Sequence, residues 1–253
     1  MKKRKRVKGK IAMALMCMAV LIFMNVLAVA GEELFIVKKE YRNQRRNNDI
    51  QVFYPQIQGL DDEGKEKRIN YQIRKDATRL VSGELYKNDN LWHNLDYKIK
   101  FVNGEIISIL YKGFSGVNIG YPGAGLRTYP EILTTTVDIE EGKILRLEDI
   151  VTDFDTLCEM LIEDEFEGIT KWDGVAGNTV SQQYRYTKQS VDWIKERMIE
   201  GWVSRDVTSF DWYTDGSRFV IVISKWNTYD EFAIDPSEVE GILDSEFLEK
   251  LGR

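Results

Sequence analysis

The stretch LDYKIKFVNGEIISILYKG, residues 95–113, decides the fold. Leu95, Tyr97, Ile99 and Phe101 alternate with polar residues, and Ile107, Ile109 and Tyr111 do so on the return, the period-two pattern of strands that bury one face. Asn103-Gly104 between them supplies the positive φ angles of a two-residue type I′ turn, so the stretch predicts a β-hairpin. Two more hairpins follow from the same pattern. ILTTTVDIEEGKILRLEDIV, residues 132–151, turns at Glu141-Gly142, and FDWYTDGSRFVIVISK, residues 210–225, turns at Asp215-Gly216. Upstream, ELFIVKKEYRN (33–43) and NDIQVFYPQI (48–57) read as paired strands, with Pro55 arguing against a central ladder position in the second.

Between the strands the apolar period changes to that of a helix. Ile69, Ile73, Ala77 and Leu80, with Val81, form one buried face behind a cap at Asp61 or Asp62, while Lys65, Lys67, Arg68, Arg74 and Lys75 face water. DFDTLCEMLIEDEFEGI (153–169) groups Leu157, Leu161 and Ile162, and QYRYTKQSVDWIKERMIEGW (183–202) groups Val191, Ile194 and Met198. The close, FAIDPSEVEGILDSEFLEKLG (232–252), is a strand followed by helical turns that open on Pro236. Hairpins dominate, which predicts an α+β fold: antiparallel β-hairpins forming sheet with helices packed on one face. We expect two tightly associated modules, 31–115 and 116–253, behind an N-terminal segment 1–30.

That segment, MKKRKRVKGK followed by the apolar run Ile11–Ala30, has the layout of a signal peptide. The run is 20 residues long, which as a helix gives about 30 Å and spans a bilayer. Cleavage after the small-x-small pattern Ala28-Val29-Ala30 releases a secreted chain from Gly31, and retention leaves a membrane tether through residues 11–30. Either way the remainder is extracytoplasmic. Without residues 1–30 the chain carries 28 basic against 41 acidic residues, a net charge of −13. Such a surface repels nucleic acid and anionic lipid and favours a cationic partner. Cys17 lies in the apolar run, which leaves Cys158 alone in the exported part, among apolar residues at helical spacing, as a buried structural thiol.

Catalytic, cofactor and metal sites find little support in the residues. GYPGAG (120–125) lacks the dinucleotide fingerprint and precedes a strand, so it reads as a connector. His93 is the single histidine, which rules out a multi-histidine zinc site, and its position before a strand suits an exposed turn. Glu163, Asp164, Glu165 and Glu167 lack the alternating loop that wraps calcium and read as a solvated acidic face. The aromatic residues Trp172, Trp193, Trp202, Trp212, Tyr213, Trp226 and Tyr229 fall mostly at core spacing, while any that are exposed would stack on sugar rings or anchor a protein. We expect no catalytic residue and no cofactor or metal, and the ligand-binding residues are not legible.

The order IQVFYPQIQGLDDEGKEKRINYQI, KIKFVNGEIISILYKGFSG, TTTVDIEEGKILRLEDIV, WYTDGSRFVIVI, EFAIDPSEVEGIL resembles the paired modules in the ectodomain of RsiV-like anti-sigma factors and at the N-terminus of PdaC-like peptidoglycan deacetylases. The resemblance covers roughly residues 33–250. Tyr-Pro-x-Ile-x-Gly-Leu with the later Ile69-Asn70 pair resembles the mark of the first module, and Asp138 to Ile150 the start of the second. It implies a non-catalytic binding or sensing domain at the envelope of a Gram-positive bacterium, with lysozyme or peptidoglycan as candidate partners. This chain departs from the pattern in its connector, GYPGAGLRTYP, which lacks the histidine that relatives often carry there. Only Met1–Lys10 precedes the apolar run, too little for a sigma-binding segment, and no deacetylase domain is seen after the modules. The residues leave two alternatives open: a carboxylate-based cell-wall hydrolase, and a structural envelope protein.

Overall fold

The computed structural model describes residues 34–44, 48–82, 91–117, 127–170, 191–200, 209–225 and 228–253. Strands β1 (Phe35–Asn43) and β2 (Asp49–Gln58) lead into helix α1 (Glu63–Ala77) and the short α2 (Arg79–Ser82). Then come β3 (Leu91–Val102), β4 (Ile106–Val117), β5 (Arg127–Asp138), β6 (Lys143–Leu145), α3 (Leu147–Ile150) and α4 (Phe154–Ile162). The remainder is β7 (Glu167–Gly168), α5 (Val191–Glu200), β8 (Ser209–Thr214), β9 (Phe219–Lys225), β10 (Thr228–Ile234), two 3-10 turns and α6 (Ser245–Lys250). The signal-like segment and the GYPGAG connector lie outside the described residues. The fold is α+β, built on a six-stranded sheet in the order β1-β2-β3-β4-β5-β6 and a four-stranded sheet in the order β7-β10-β9-β8.

The first sheet continues across residue 116, because β5 pairs with β4 over its whole length and β6 follows. One pair departs from the antiparallel rule. β2 and β3 run parallel over Asp49–Val52 and Trp92–Leu95, with α1 inside the crossover that such a pair requires. That ladder ends at Val52, so Pro55, which pairs with Lys38 of β1 alone, has no donor missing toward β3.

The hairpin of residues 95–113 forms, but not with the expected turn. Neither Asn103 nor Gly104 adopts a positive φ. The asparagine side chain closes a wider loop instead: its Oδ1 accepts from the backbone N–H of Glu105 at 2.9 Å and of Ile106 at 2.6 Å. Its Nδ2 donates to the Lys250 carbonyl at 2.7 Å, so the loop also holds the C-terminal helix. A bulge between Ile99 and Phe101 then changes the sidedness of β3. One extra residue turns every following side chain over. Leu95, Tyr97 and Ile99 face the first core as expected, whereas Phe101 packs against the core of the second sheet. There it lies under the Asp215-Gly216 turn, where Gly216 (φ 84°) leaves room that a Cβ would take, 2.6 Å from the ring. The other two hairpins turn as read, at Gly142 (φ 67°) and at Gly216.

Four layers result. Ile69, Ile73 and Ala77 of α1 pack on Ile107, Ile109 and Tyr111 of the first sheet. From its other face Leu110 and Ile132 meet Tyr213, Val220, Val222 and Ala233 of the second sheet. Phe210, Trp212, Ile221 and Phe232 leave that sheet on the far side, against Leu157 and Leu161 of α4, Ile194 and Met198 of α5, and Phe247 of α6. Each sheet therefore carries helices on one face and the other sheet on the second.

The Tyr-Pro-x-Ile-x-Gly-Leu junction now has a physical explanation. Asn70 of α1 clamps Ile57, accepting from its N–H and donating to its carbonyl, both at 2.8 Å. Glu66 accepts from the N–H of Gly59 and of Leu60, and Asp62 caps the helix through the N–H of Gly64 and Lys65. The buried Lys250 ammonium bonds Asp138 Oδ2 at 2.8 Å and Glu246 Oε1 at 2.7 Å.

Asn70→Ala leaves both Ile57 groups without their partner and is expected to lower stability by about 1–3 kcal/mol, read by denaturant unfolding. Lys250→Ala strands the buried Asp138 carboxylate and is expected to cost about 3–5 kcal/mol, with Lys250→Met/Asp138→Leu recovering most of it.

Candidate functional site

The described residues enclose a cleft of about 390 Å³ lined by Asp76, Arg79, Arg146, Leu147, Glu148, Met198, Ile199, Phe210, Asp211 and Trp212. Its walls come from both sheets' helices and from β8. Asp76 is brought there by the end of α1, where it occupies a buried position beside Ile73 and Ala77. Asp211 alternates with the core residues Phe210 and Trp212 along β8, so it points back toward the first sheet.

Two arginine–carboxylate pairs hold the wall. Arg79 pairs with Asp211, both largely buried, and Arg146 reaches Asp76 at 3.2 Å with its own side chain half exposed. The carboxylate oxygens are further engaged: Asp76 Oδ2 accepts from Thr135 Oγ1 at 3.3 Å, and Asp211 Oδ2 accepts from the Thr134 N–H at 3.2 Å. Burial disfavours the Arg79 charge, yet Asp211 and then Asp76 outweigh it and hold the guanidinium protonated beyond its usual range. Removing either partner would leave a desolvated charge.

The floor is apolar: Leu147, Met198, Phe210 and Trp212 are all buried. Trp212 is fixed edge-on against Phe247, with ring centroids 5.5 Å apart. Glu148 and Ile199 stand exposed at the mouth. Three carboxylates and two guanidiniums therefore surround a hydrophobic floor, a net charge of −1 at the opening.

The residues singled out from the sequence sit elsewhere or serve the core. His93 is not an exposed turn residue but part of β3, fully buried and paired in register with Ser115. The strand begins two residues before it, at Leu91, and the helix-covered face takes the ring in. Cys158 is buried in α4 with its Sγ 3.9 Å from Met198 Sδ, and burial pushes the thiol up to about 12. Glu163, Asp164 and Glu165 are not a helix face, because α4 ends at Ile162, Glu163 caps it and Asp164 turns the chain at φ 60°. Glu167 follows in β7, exposed like Glu163 and Glu165. Trp212 and Tyr213 are core, Trp193 packs against it, and Tyr229 is half-buried, whereas Trp172, Trp202 and Trp226 lie outside the described residues.

The cleft residues escaped the sequence reading because they come from four separate segments. One signal was present: Asp76 falls on the helical stripe of Ile69, Ile73 and Ala77, Asp211 stands between Phe210 and Trp212, and a charged residue among core residues calls for a partner.

Because its thiol is held neutral and buried, Cys158 is expected to resist iodoacetamide at pH 8 in the folded chain and to react on unfolding, as read by peptide mass mapping. Labelling of Cys158 in the native state at the rate of the denatured state would contradict this placement.

No family model matches the chain, and no curated protein matches it. Among solved structures it is similar to a member of the DUF3298 family, a domain of unknown function, from Bacteroides fragilis NCTC 9343, at a TM-score of 0.49 and 10% identity over 89% of this chain and 99% of that one. It is also similar to a DUF3298 family protein from Pseudomonas aeruginosa PAO1, at a TM-score of 0.42 and 9% identity over 87% of this chain and 95% of that one.

Proposed function

We propose that the chain is a non-catalytic extracytoplasmic binding module of a bacterial cell envelope, whose cleft receives a basic side chain of a cationic protein. The observation that carries this reading is the cleft itself, an apolar floor rimmed by Asp76, Asp211 and Glu148 against two arginines. The methylene stem of a lysine or arginine suits the floor, and its charged head suits Glu148, exposed at the mouth with no ion pair among the described residues. The acidic excess outside residues 1–30 supports it through long-range attraction. Extracytoplasmic placement draws on the basic and apolar character of residues 1–30, and the motif resemblance to RsiV-like ectodomains makes lysozyme the probe of choice.

A second reading, a carboxylate-based hydrolase, draws on the convergence of Asp76 and Asp211 on one cavity. Such chemistry needs one acid free to give a proton and another free to attack or to activate water. Here the oxygens of both already accept hydrogen bonds from Arg146, Thr135, Arg79 and backbone N–H groups. That saturation favours holding over turning over.

Calorimetric titration with lysozyme is expected to show binding that weakens severalfold between about 0.02 and 0.15 M salt. Glu148→Lys is expected to weaken it by about tenfold or more by reversing the charge at the mouth. An affinity indifferent to both salt and this substitution contradicts the reading, as does silence at low salt.

A further inference from the structure

The face of the first sheet that meets the second sheet is wider than its cover. Toward β1 and the far ends of β3 and β4 it continues as a set of cross-strand rows. Strand register places Arg42, Gln51, Asn94, Phe114 and Pro130 in one row, and Asp49, Trp92, Gly116 and Thr128 in the next. Glu40 and Phe53 sit opposite each other on the other side, as do Asp96 and Lys112. Phe114 is 53% exposed, and Phe53, Trp92, Gln51 and Asn94 are half-buried.

Two features of this face go together. Its charges balance: Lys38 pairs with Asp96 at 2.8 Å, Arg42 with Glu40 at 4.0 Å and Lys112 with Glu231 of the second sheet, while Asp49 beside Trp92 and Lys98 beside Asp96, one of each sign, make no ion pair among the described residues. A patch without surplus charge on an acidic chain offers little to an anionic or cationic polymer. Its amides are also oriented: Asn94 Nδ2 donates to Gln51 Oε1 at 3.2 Å, and Gln51 Nε2 donates to Glu40 Oε1 at 3.0 Å. This chain fixes which way each amide points and leaves Asn94 Oδ1 and one N–H of each amide without a partner among the described residues.

We infer that this face binds a neutral glycan strand. The apolar C–H face of a pyranose ring stacks on Phe114 and Trp92, whose rings are presented on neighbouring strands about 5 Å apart. The ring hydroxyls, donors and acceptors at once, match the preset Gln51–Asn94 amides between the aromatic groups. A helical or strand partner from a protein is less well matched, because Gln51 and Asn94 divide Phe53 from Trp92 and Phe114 and break up the apolar surface. The assignment is independent of the cleft, which uses different residues and a charged ligand.

The test is calorimetric titration of the full chain with a soluble, uncharged chito-oligosaccharide, with polyphosphate as a charged control. Binding of the oligosaccharide is expected to persist in about 0.5 M salt, where charge attraction is screened within a few Å. Phe114→Ala, at an exposed position, and Asn94→Ala are each expected to weaken it by about tenfold or more. Glu148→Lys is expected to leave it unchanged, which separates this site from the cleft. No binding by the native chain, equal binding by folded Phe114→Ala, tighter binding of polyphosphate, or loss of binding in salt would each overturn the inference.

Discussion

A six-stranded sheet has two faces to bury, and the four-stranded sheet laid over one of them covers only part of it. Both candidate surfaces of this molecule follow from that mismatch. Where the sheets meet, Leu110 and Ile132 pack on Tyr213, Val220 and Val222, and Ser108 accepts from the Thr214 N–H at 3.1 Å. Where the cover ends on one side, the cleft opens between α1, α3, α5 and β8. Where it ends on the other, a row of amides and aromatic rings is left facing water. The bulge before Phe101 is the device that ties the two sheets, since it sends one ring of the first hairpin into the second core.

The cleft is costly to build. Desolvating Arg79 and Asp211 is repaid only when the pair is complete, and an apolar pair of the same size is often as stable or more so. Retaining such charges beside an apolar floor is reasonable where a ligand exchanges interactions with them. By contrast, the Lys250–Asp138 bond and the Asn103 contact to the Lys250 carbonyl involve none of the cleft residues; they tie the C-terminal helix to the first sheet and have a structural role.

Much of the fold was legible in the alternation of apolar residues. Two of three hairpins turn at the glycines that the sequence marks, and α1, α4 and α5 bury the stripes that their spacing defines. The misreadings have local causes. Asn103-Gly104 favours a tight turn, but the asparagine amide gains more partners in a wider loop that also binds α6. His93 does not precede its strand: the alternation is clear only from Leu95, whereas pairing with β4 carries the strand back to Leu91 and the parallel ladder with β2 back to Trp92. Neither the cleft nor the open face was legible, since both are assembled by strand order. Arg42, Gln51, Asn94 and Phe114 become neighbours only once β2 pairs parallel with β3.

Backbone chemical-shift mapping of the isotope-labelled chain, titrated in turn with an uncharged chito-oligosaccharide and with lysozyme, tests most directly whether the partial cover creates two separate surfaces. The account predicts two footprints: Trp92, Asn94 and Phe114 with the glycan, and Arg146 to Glu148 with Met198 and Ile199 with the protein. One shared footprint, or shifts confined to neither set, would contradict it.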